Sequence, residues 1–238
     1  MMPTGWHSSW QAFFSQPRTQ EILTEIHSHI QCPVNPPDHL IFRFAQMPLS
    51  SIRCVILGQD PYPDPTGVAA TGRAFEVGGL TSWQVPFRQH SLKNFLRLIY
   101  FSYEEELISY PQLKQKMLSG DFPILAPNEL FENLESQGVL FLNVSLTCEQ
   151  GVANSHRDLW LPFAEHLLSF LSEQRPDTHW FLWGNEAQRF APLLRGVIHP
   201  SKHPRLYGTK DGDFLSSDGL RKTKAFIDWR GLSQTSQP

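Results

Sequence analysis

Apolar positions in this chain fall into two kinds of pattern. Residues 53–57 (RCVIL), 138–143 (GVLFLN), 179–183 (HWFLW) and 196–199 (GVIH) are short, nearly continuous apolar runs. Each is bounded by glycine, proline or a polar residue, which predicts a buried parallel strand. Residues 74–77 predict a further short strand, and Pro200 is expected to stop the strand at 196–199. Between the runs the apolar spacing is helical. Helices are expected at 9–15 and 19–30, separated by Pro17, and Pro33, Pro36 and Pro37 then break the pattern. Further helices are predicted at 91–100, which has a serine start, at 159–172, near 186–190, and at 217–229. Strands alternating with helices give an α/β sandwich around a parallel sheet. Ligands of such sheets sit beyond the carboxyl ends of the strands. Those ends are Gly58-Gln59-Asp60, Asn143, Gly184-Asn185 and His199-Pro200-Ser201, four polar clusters where a site should be.

Composition narrows the setting. The 238 residues suit one large domain or two small ones and are enough to bury a core without cross-links. Cys32, Cys54 and Cys148 are an odd number with no CxxC spacing, which argues against a disulfide framework and a cysteine zinc site. No apolar run reaches a membrane span, and the first ten residues do not read as a signal peptide. A soluble protein of a reducing, intracellular compartment is expected. The net charge of −3 excludes coating nucleic acid by overall charge. The charge is uneven, however, with seven Lys/Arg against three Asp over residues 195–224.

The strand ends carry the candidate chemistry. Asp60, held extended by Pro61, could act as a base or stabilise a developing cation, or could simply cap a helix or turn. Asn143 could pair with an imide edge, giving one hydrogen bond and taking one, or could satisfy a turn. Uracil presents that edge with O4 and N3–H, and cytosine presents the opposite pattern. His199 could donate to an oxyanion as a neutral imidazole, or could be structural. His199 and His203 are spaced like a metal pair, but Pro200 and Pro204 argue against the helix this would need. Phe75 could stack on a base or fill the core.

Several motifs then occur in order. They are Gly58-Gln59-Asp60-Pro61-Tyr62, Arg73-Ala74-Phe75, Val85-Pro86 through Ser91-Leu92-Lys93-Asn94, and the 137–143 strand with Leu146-Thr147. Ala153-Asn154-Ser155-His156, Leu182-Trp183-Gly184-Asn185, His199-Pro200-Ser201 and Ile227-Asp228-Trp229 complete the set. Over roughly residues 50–230 the chain resembles the family 1 uracil-DNA glycosylases. The resemblance implies a three-layer sandwich around a central four-stranded, mostly parallel sheet. It implies a single domain over 1–238, with an N-terminal helical part at 1–45 and a catalytic core at 50–230. It further implies an enzyme that flips uracil out of DNA and hydrolyses its N-glycosidic bond, initiating base-excision repair. Asp60 would stabilise the sugar cation and orient water, and His199 would stabilise the leaving uracil anion. Gln59, Tyr62, Phe75 and Asn143 would form the uracil pocket, with Tyr62 excluding the thymine methyl. Ser91, Gly184, Asn185, Ser201, Lys202, Arg205 and Leu206 would contact DNA, single- or double-stranded. No metal or cofactor is implied. The protein would be a cytoplasmic monomer, or nuclear in a eukaryotic or viral setting.

Departures from the family pattern bear on activity. Pro63 stands where the family has histidine, and the span from Asp60 to Phe75 is about two residues longer. The added Asp64 is expected near the site, where it would repel phosphate or raise the pKa of Asp60. Residues 100–123 are an insertion, and Asn185 replaces a serine. The loop after Ser201 is one residue longer, so Leu206, Arg205 or His203 could be the wedge entering the duplex. These changes keep two alternatives open: a glycosylase-like DNA binder with weak or no catalysis, or an enzyme of shifted base specificity. A nucleotide-binding α/β enzyme has no GxGxxG or P-loop sequence to support it.

Overall fold

The computed structural model describes residues 5–30, 32–206 and 208–232. The extreme ends of the expected 1–238 extent lie outside the described residues. A 3-10 turn at Ser8–Trp10 leads into α1 (Gln11–Phe14), and α2 spans Pro17–His29. Pro17 is the first residue of α2 rather than a gap before it, since that position has no intrahelical use for an N–H. β1 (Val34–Asn35) precedes the first long strand, β2 (Cys54–Gly58). Then come α3 (His90–Glu104), α4 (Tyr110–Ser119), α5 (Pro127–Ser136) and β3 (Val139–Asn143). β4 (Cys148–Glu149), α6 (Arg157–Gln174), β5 (His179–Trp183) and α7 (Asn185–Gln188) follow. β6 (Val197–Ser201) and α8 (Gly219–Thr223) close the chain.

The four long strands form one sheet in the order β3-β2-β5-β6, with every neighbouring pair parallel. Strand alternation divides the apolar residues between two faces. Val55, Leu57, Leu140, Leu142, Trp180 and Leu182 pack with α1, α2 and α6. Ile56, Val139, Phe141, Phe181 and Trp183 pack with α3, α4, α5 and Trp229. This is the three-layer architecture expected. Trp10, Phe13 and Phe14 are fully buried in the first core, so the N-terminal helical part covers one face of the sheet.

Four local expectations are corrected. Residues 74–77 are not a strand: Phe75 takes a left-handed φ of 66° and Gly79 one of 73°, which no ladder tolerates. β6 runs through Pro200 to Ser201 instead of stopping before it. This is possible because β6 is an edge strand paired only with β5. The Val197 N–H points inward to the Thr178 carbonyl, so alternation puts the Pro200 nitrogen on the outer edge, where no donor is missed. The terminal helix is only Gly219–Thr223, and α7 is a single turn. The inserted stretch contains α4, whose start is a reciprocal cap between Ser109 and Gln112 and whose end is Gly120 at φ 84°.

Candidate active site

At the carboxyl ends of β2 and β3 the parallel ladder continues past the strands. Val144 N–H donates to Gly58 O at 3.0 Å, and Ser145 N–H donates to Gln59 O at 2.9 Å. Gly58 lies opposite Asn143. A Cβ at Gly58 would meet Asn143 Oδ1 at 2.3 Å and Ala74 Cβ at 2.6 Å, so only glycine fits. Asn143 is buried, and its amide forms no hydrogen bond to another side chain or backbone group among the described residues. The amide can therefore still give one hydrogen bond and take one.

Asp60 follows β2 and is partly buried. Its Oδ2 accepts the backbone N–H of Asn154 at 2.8 Å, and Gln59 Nε2 donates to Asn154 Oδ1 at 2.6 Å. Asn154 holds both in a left-handed turn with φ 61°. Burial raises the Asp60 pKa above the usual carboxylate range, and the Asn154 N–H partly offsets this. The Tyr62 hydroxyl donates to Phe75 O at 3.3 Å, which ties the loop after Asp60 to the Phe75 turn. The Phe75 ring stands edge-on to Trp183 with centroids 5.4 Å apart.

Asp64 does not raise the Asp60 pKa, contrary to expectation. Its carboxylate accepts the Thr66 hydroxyl and the backbone N–H groups of Thr66, Val68 and Ala69. Those bonds lower its pKa, and its charge is not among the causes of the Asp60 shift. The longer loop thus closes on its own aspartate. Asn35 clamps its base from outside, donating to Tyr62 O at 3.1 Å and Asp64 O at 2.7 Å.

The two histidines diverge. His199 lies inside β6 opposite Phe181, buried on the face covered by α8. Its Nε2 is 2.9 Å from His179 Nδ1, at the amino end of β5, and the two rings stack. It therefore points back along the sheet, away from Asp60 and Asn143. Burial lowers its pKa to about 4. His203 lies just past the end of β6 and lines the cleft at the strand ends. A Cβ at Gly184 would come within 3.0 Å of His203 Cβ, and Gly184 already sits at φ 92°. The Arg205 backbone N–H donates to His203 Nδ1 at 3.1 Å. This leaves the ring proton of the neutral form on Nε2. Burial and the Arg205 charge lower the His203 pKa, so the ring is neutral at pH 7.

The cleft is about 460 Å³, and Gln59, Phe75, Trp183, Gly184, His203 and Leu206 contribute to its wall. Asn185 and Lys202 line it as well, and Lys202 Nζ pairs with Asp213 Oδ1 at 2.8 Å. Leu206 is 55% exposed, and Arg205 is exposed beside it. Ser201, expected to hold a phosphate, is buried with its hydroxyl donating to Lys202 O at 3.0 Å. Ser91 lies half-buried in the first turn of α3. That turn is tied to the Leu206 loop by Asn94 Nδ2, which donates to Pro204 O at 2.6 Å. Arg157 and Glu186 form an ion pair on the cleft wall that the sequence reading did not single out. The roles of Asn154 and Asn35 were also missed. The quoted Ala153-Asn154-Ser155-His156 motif was the available signal for the first, and nothing in the sequence marks the second.

Residues 44–227 match the sequence model of the uracil DNA glycosylase superfamily. A uracil-DNA glycosylase of Pseudomonas putida (strain W619) is 30% identical over 236 residues, covering 96% of this chain and 91% of the relative. One from Exiguobacterium sibiricum is also 30% identical over 236 residues, covering 94% and 93%. Among solved structures, mimivirus uracil-DNA glycosylase aligns with a TM-score of 0.72 at 20% identity, covering 96% of this chain and 85% of that one. The wild-type UNG of Nitratifractor salsuginis aligns at 0.66 and 22%, covering 94% and 92%.

Proposed function

The chain belongs to the uracil-DNA glycosylase superfamily, and from that premise we propose how its residues excise uracil from DNA. The target nucleotide is extruded from the stack and its N-glycosidic bond is hydrolysed. The transition state places positive charge on the sugar and negative charge on the leaving base. Asp60, fixed by the Asn154 N–H, stabilises the first and orients the attacking water. His203 replaces His199 as the donor to the second: its Nε2–H, set by the Arg205 N–H on Nδ1, faces the departing oxyanion as a neutral imidazole. Asn143 reads the imide edge, Phe75 stacks on the ring, and Tyr62 fills the space a thymine methyl would need. Leu206, exposed at the cleft mouth, is the wedge, with Ser91, Gly184, Asn185, Lys202 and Arg205 along the DNA path. The enzyme acts on uracil-containing DNA as a monomer in the cytoplasm. Among the described residues no helix is long and apolar enough to cross a membrane.

The observation that carries this assignment is that His203 lines the cleft at the strand ends while His199 is buried against His179. Of the two changes that favour the non-cleaving alternative, Pro63 and Asp64, the second has its carboxylate bonded within its own turn and is not a cause of the Asp60 shift. Uracil release from single-stranded and U·G duplex oligonucleotides tests the reading. His203→Ala should lower kcat by about 10² to 10³-fold, as loss of an oxyanion donor does. His199→Ala should stay within about threefold of the parent while melting at lower temperature, since it loses a buried partner. The reverse order would return the role to His199. DNA binding without release by the parent would favour the binding module.

A further inference from the structure

We infer a divalent metal site, suited to zinc, formed by Cys32, Glu149 and His156 on the side of the protein that supports Asp60. One donor atom from each lies within 4.8 Å of the others. The three come from separate segments: the loop between α2 and β1, strand β4, and the residue before α6. Their spacing in sequence is therefore invisible to motif reading, and the CxxC argument does not reach it.

The scaffold around the trio is fixed. β1 pairs with β4 so that Val34 faces Glu149, and Gln150 N–H donates to Pro33 O at 3.3 Å, which anchors the chain next to Cys32. Ser155 Oγ accepts the Glu149 N–H at 2.7 Å. His156 is buried, and its Nδ1 lies 2.9 Å from Thr147 Oγ1, which also accepts the Trp160 indole N–H at 2.6 Å. A metal-binding histidine needs such a partner on its second nitrogen to orient the ring. The other nitrogen, Nε2, lies 4.0 Å from Glu149 Oε1.

Zinc binds sulfur at about 2.3 Å and nitrogen or oxygen at about 2.0–2.2 Å, so tetrahedral ligands stand about 3.3–3.8 Å apart. The trio needs to close by about 1 Å to reach this. Cys32 and the half-exposed Glu149 side chain have the freedom to do so. Thiolate, imidazole and carboxylate together select a borderline-soft ion over magnesium or calcium. Water would fill the fourth position. Only one residue separates His156 from Asn154, whose N–H holds Asp60. The ion would thus clamp the N-terminal arm to the turn that supports the catalytic carboxylate.

The test uses the full chain freed of metal with a chelator, then titrated with zinc or cobalt(II) alone. One equivalent of cobalt should bind and give a near-ultraviolet thiolate charge-transfer band. Cys32→Ser should abolish the band, and Glu149→Gln should weaken zinc binding by about tenfold or more. Cys148→Ala, which alters a different thiol, should keep the band. Zinc should raise the melting temperature of the parent and leave that of Cys32→Ser unchanged. Cys32 is exposed, so its serine variant retains the fold. Absence of the band in the parent overturns the site. So does binding of equal strength in Cys32→Ser and the parent.

Discussion

Burial pushes Asp60 and His203 toward the uncharged state, and the reaction needs only one of them charged. In the proposed role His203 is the neutral imidazole that burial favours, so its environment costs nothing at pH 7. Asp60 must be ionised, against a pKa that burial has raised. The acid limb of kcat/KM should therefore lie above the usual carboxylate range, a profile readable from pH 4 to 8. The same shift bears on stability. A carboxyl whose folded pKa exceeds its unfolded pKa destabilises the folded state at pH values above both; this cost shrinks as pH falls through the folded value and is gone below the unfolded one. Asp60→Asn should thus lower kcat by about 10² to 10⁴-fold and raise the melting temperature at pH 7. That gain should shrink toward pH 4; a constant gain would mean that the charge is not its source. The placement of Asp60 and Asn143 at the carboxyl ends of β2 and β3 was legible in the sequence, because each follows a buried apolar run. The position of the two histidines was not, because the dipeptide His-Pro occurs at both 199 and 203. Choosing between them requires knowing that β6 continues through Pro200, which an edge strand permits and a central strand does not.

At the scale of elements, the insertion braces the 84–89 loop against the start of α3. The Lys114 ammonium donates to Gln84 O at 2.8 Å, and the Tyr110 ring packs edge-on against Phe87 with centroids 5.6 Å apart. Lys93 in α3 lies 5.2 Å from the Phe87 ring and 5.5 Å from that of Tyr110. α4 therefore holds the 84–89 loop against the start of α3, the segment proposed to meet DNA. Tyr110→Ala should weaken binding of uracil-containing duplex by about three- to tenfold, since an edge-on aromatic pair contributes about 0.5–1.5 kcal/mol. The turnover of bound substrate should be unchanged, so a fall in kcat with constant KM would reject this bracing role. The long strands were readable as apolar runs because both faces of the sheet are covered. The Phe75 segment was not, because its aromatic pattern resembles a strand while its left-handed residues form a turn. The Ser109…Gln112 cap did stand in the sequence and was the missed signal for α4.

For the whole molecule, 20 basic residues face 23 acidic ones, so attraction to DNA is local. Even there it is opposed, since Lys202 is paired with Asp213 and Arg157 with Glu186. Phosphates must displace carboxylates from these cations. Each phosphate neutralised contributes about −0.9 to the slope of log K against log salt. A slope between about −1 and −4 is expected on duplex DNA, measurable by anisotropy between 50 and 200 mM salt. A slope near −8 would reveal a basic surface that these pairings do not leave available. The layered architecture was legible because the order of strands and helices dictates it. The contact of Asn35 with the Asp60 loop was not, because no local pattern links residues so far apart.

Pro200 has a consequence outside catalysis. An edge strand normally offers a row of unused amide donors that another polypeptide can adopt as a template. On β6 that row is interrupted at Pro200, one of the two outward-facing positions of the strand, by a residue with no N–H. The imino acid that made the strand hard to recognise also keeps the sheet from growing, which favours resistance to fibrous self-assembly at high concentration.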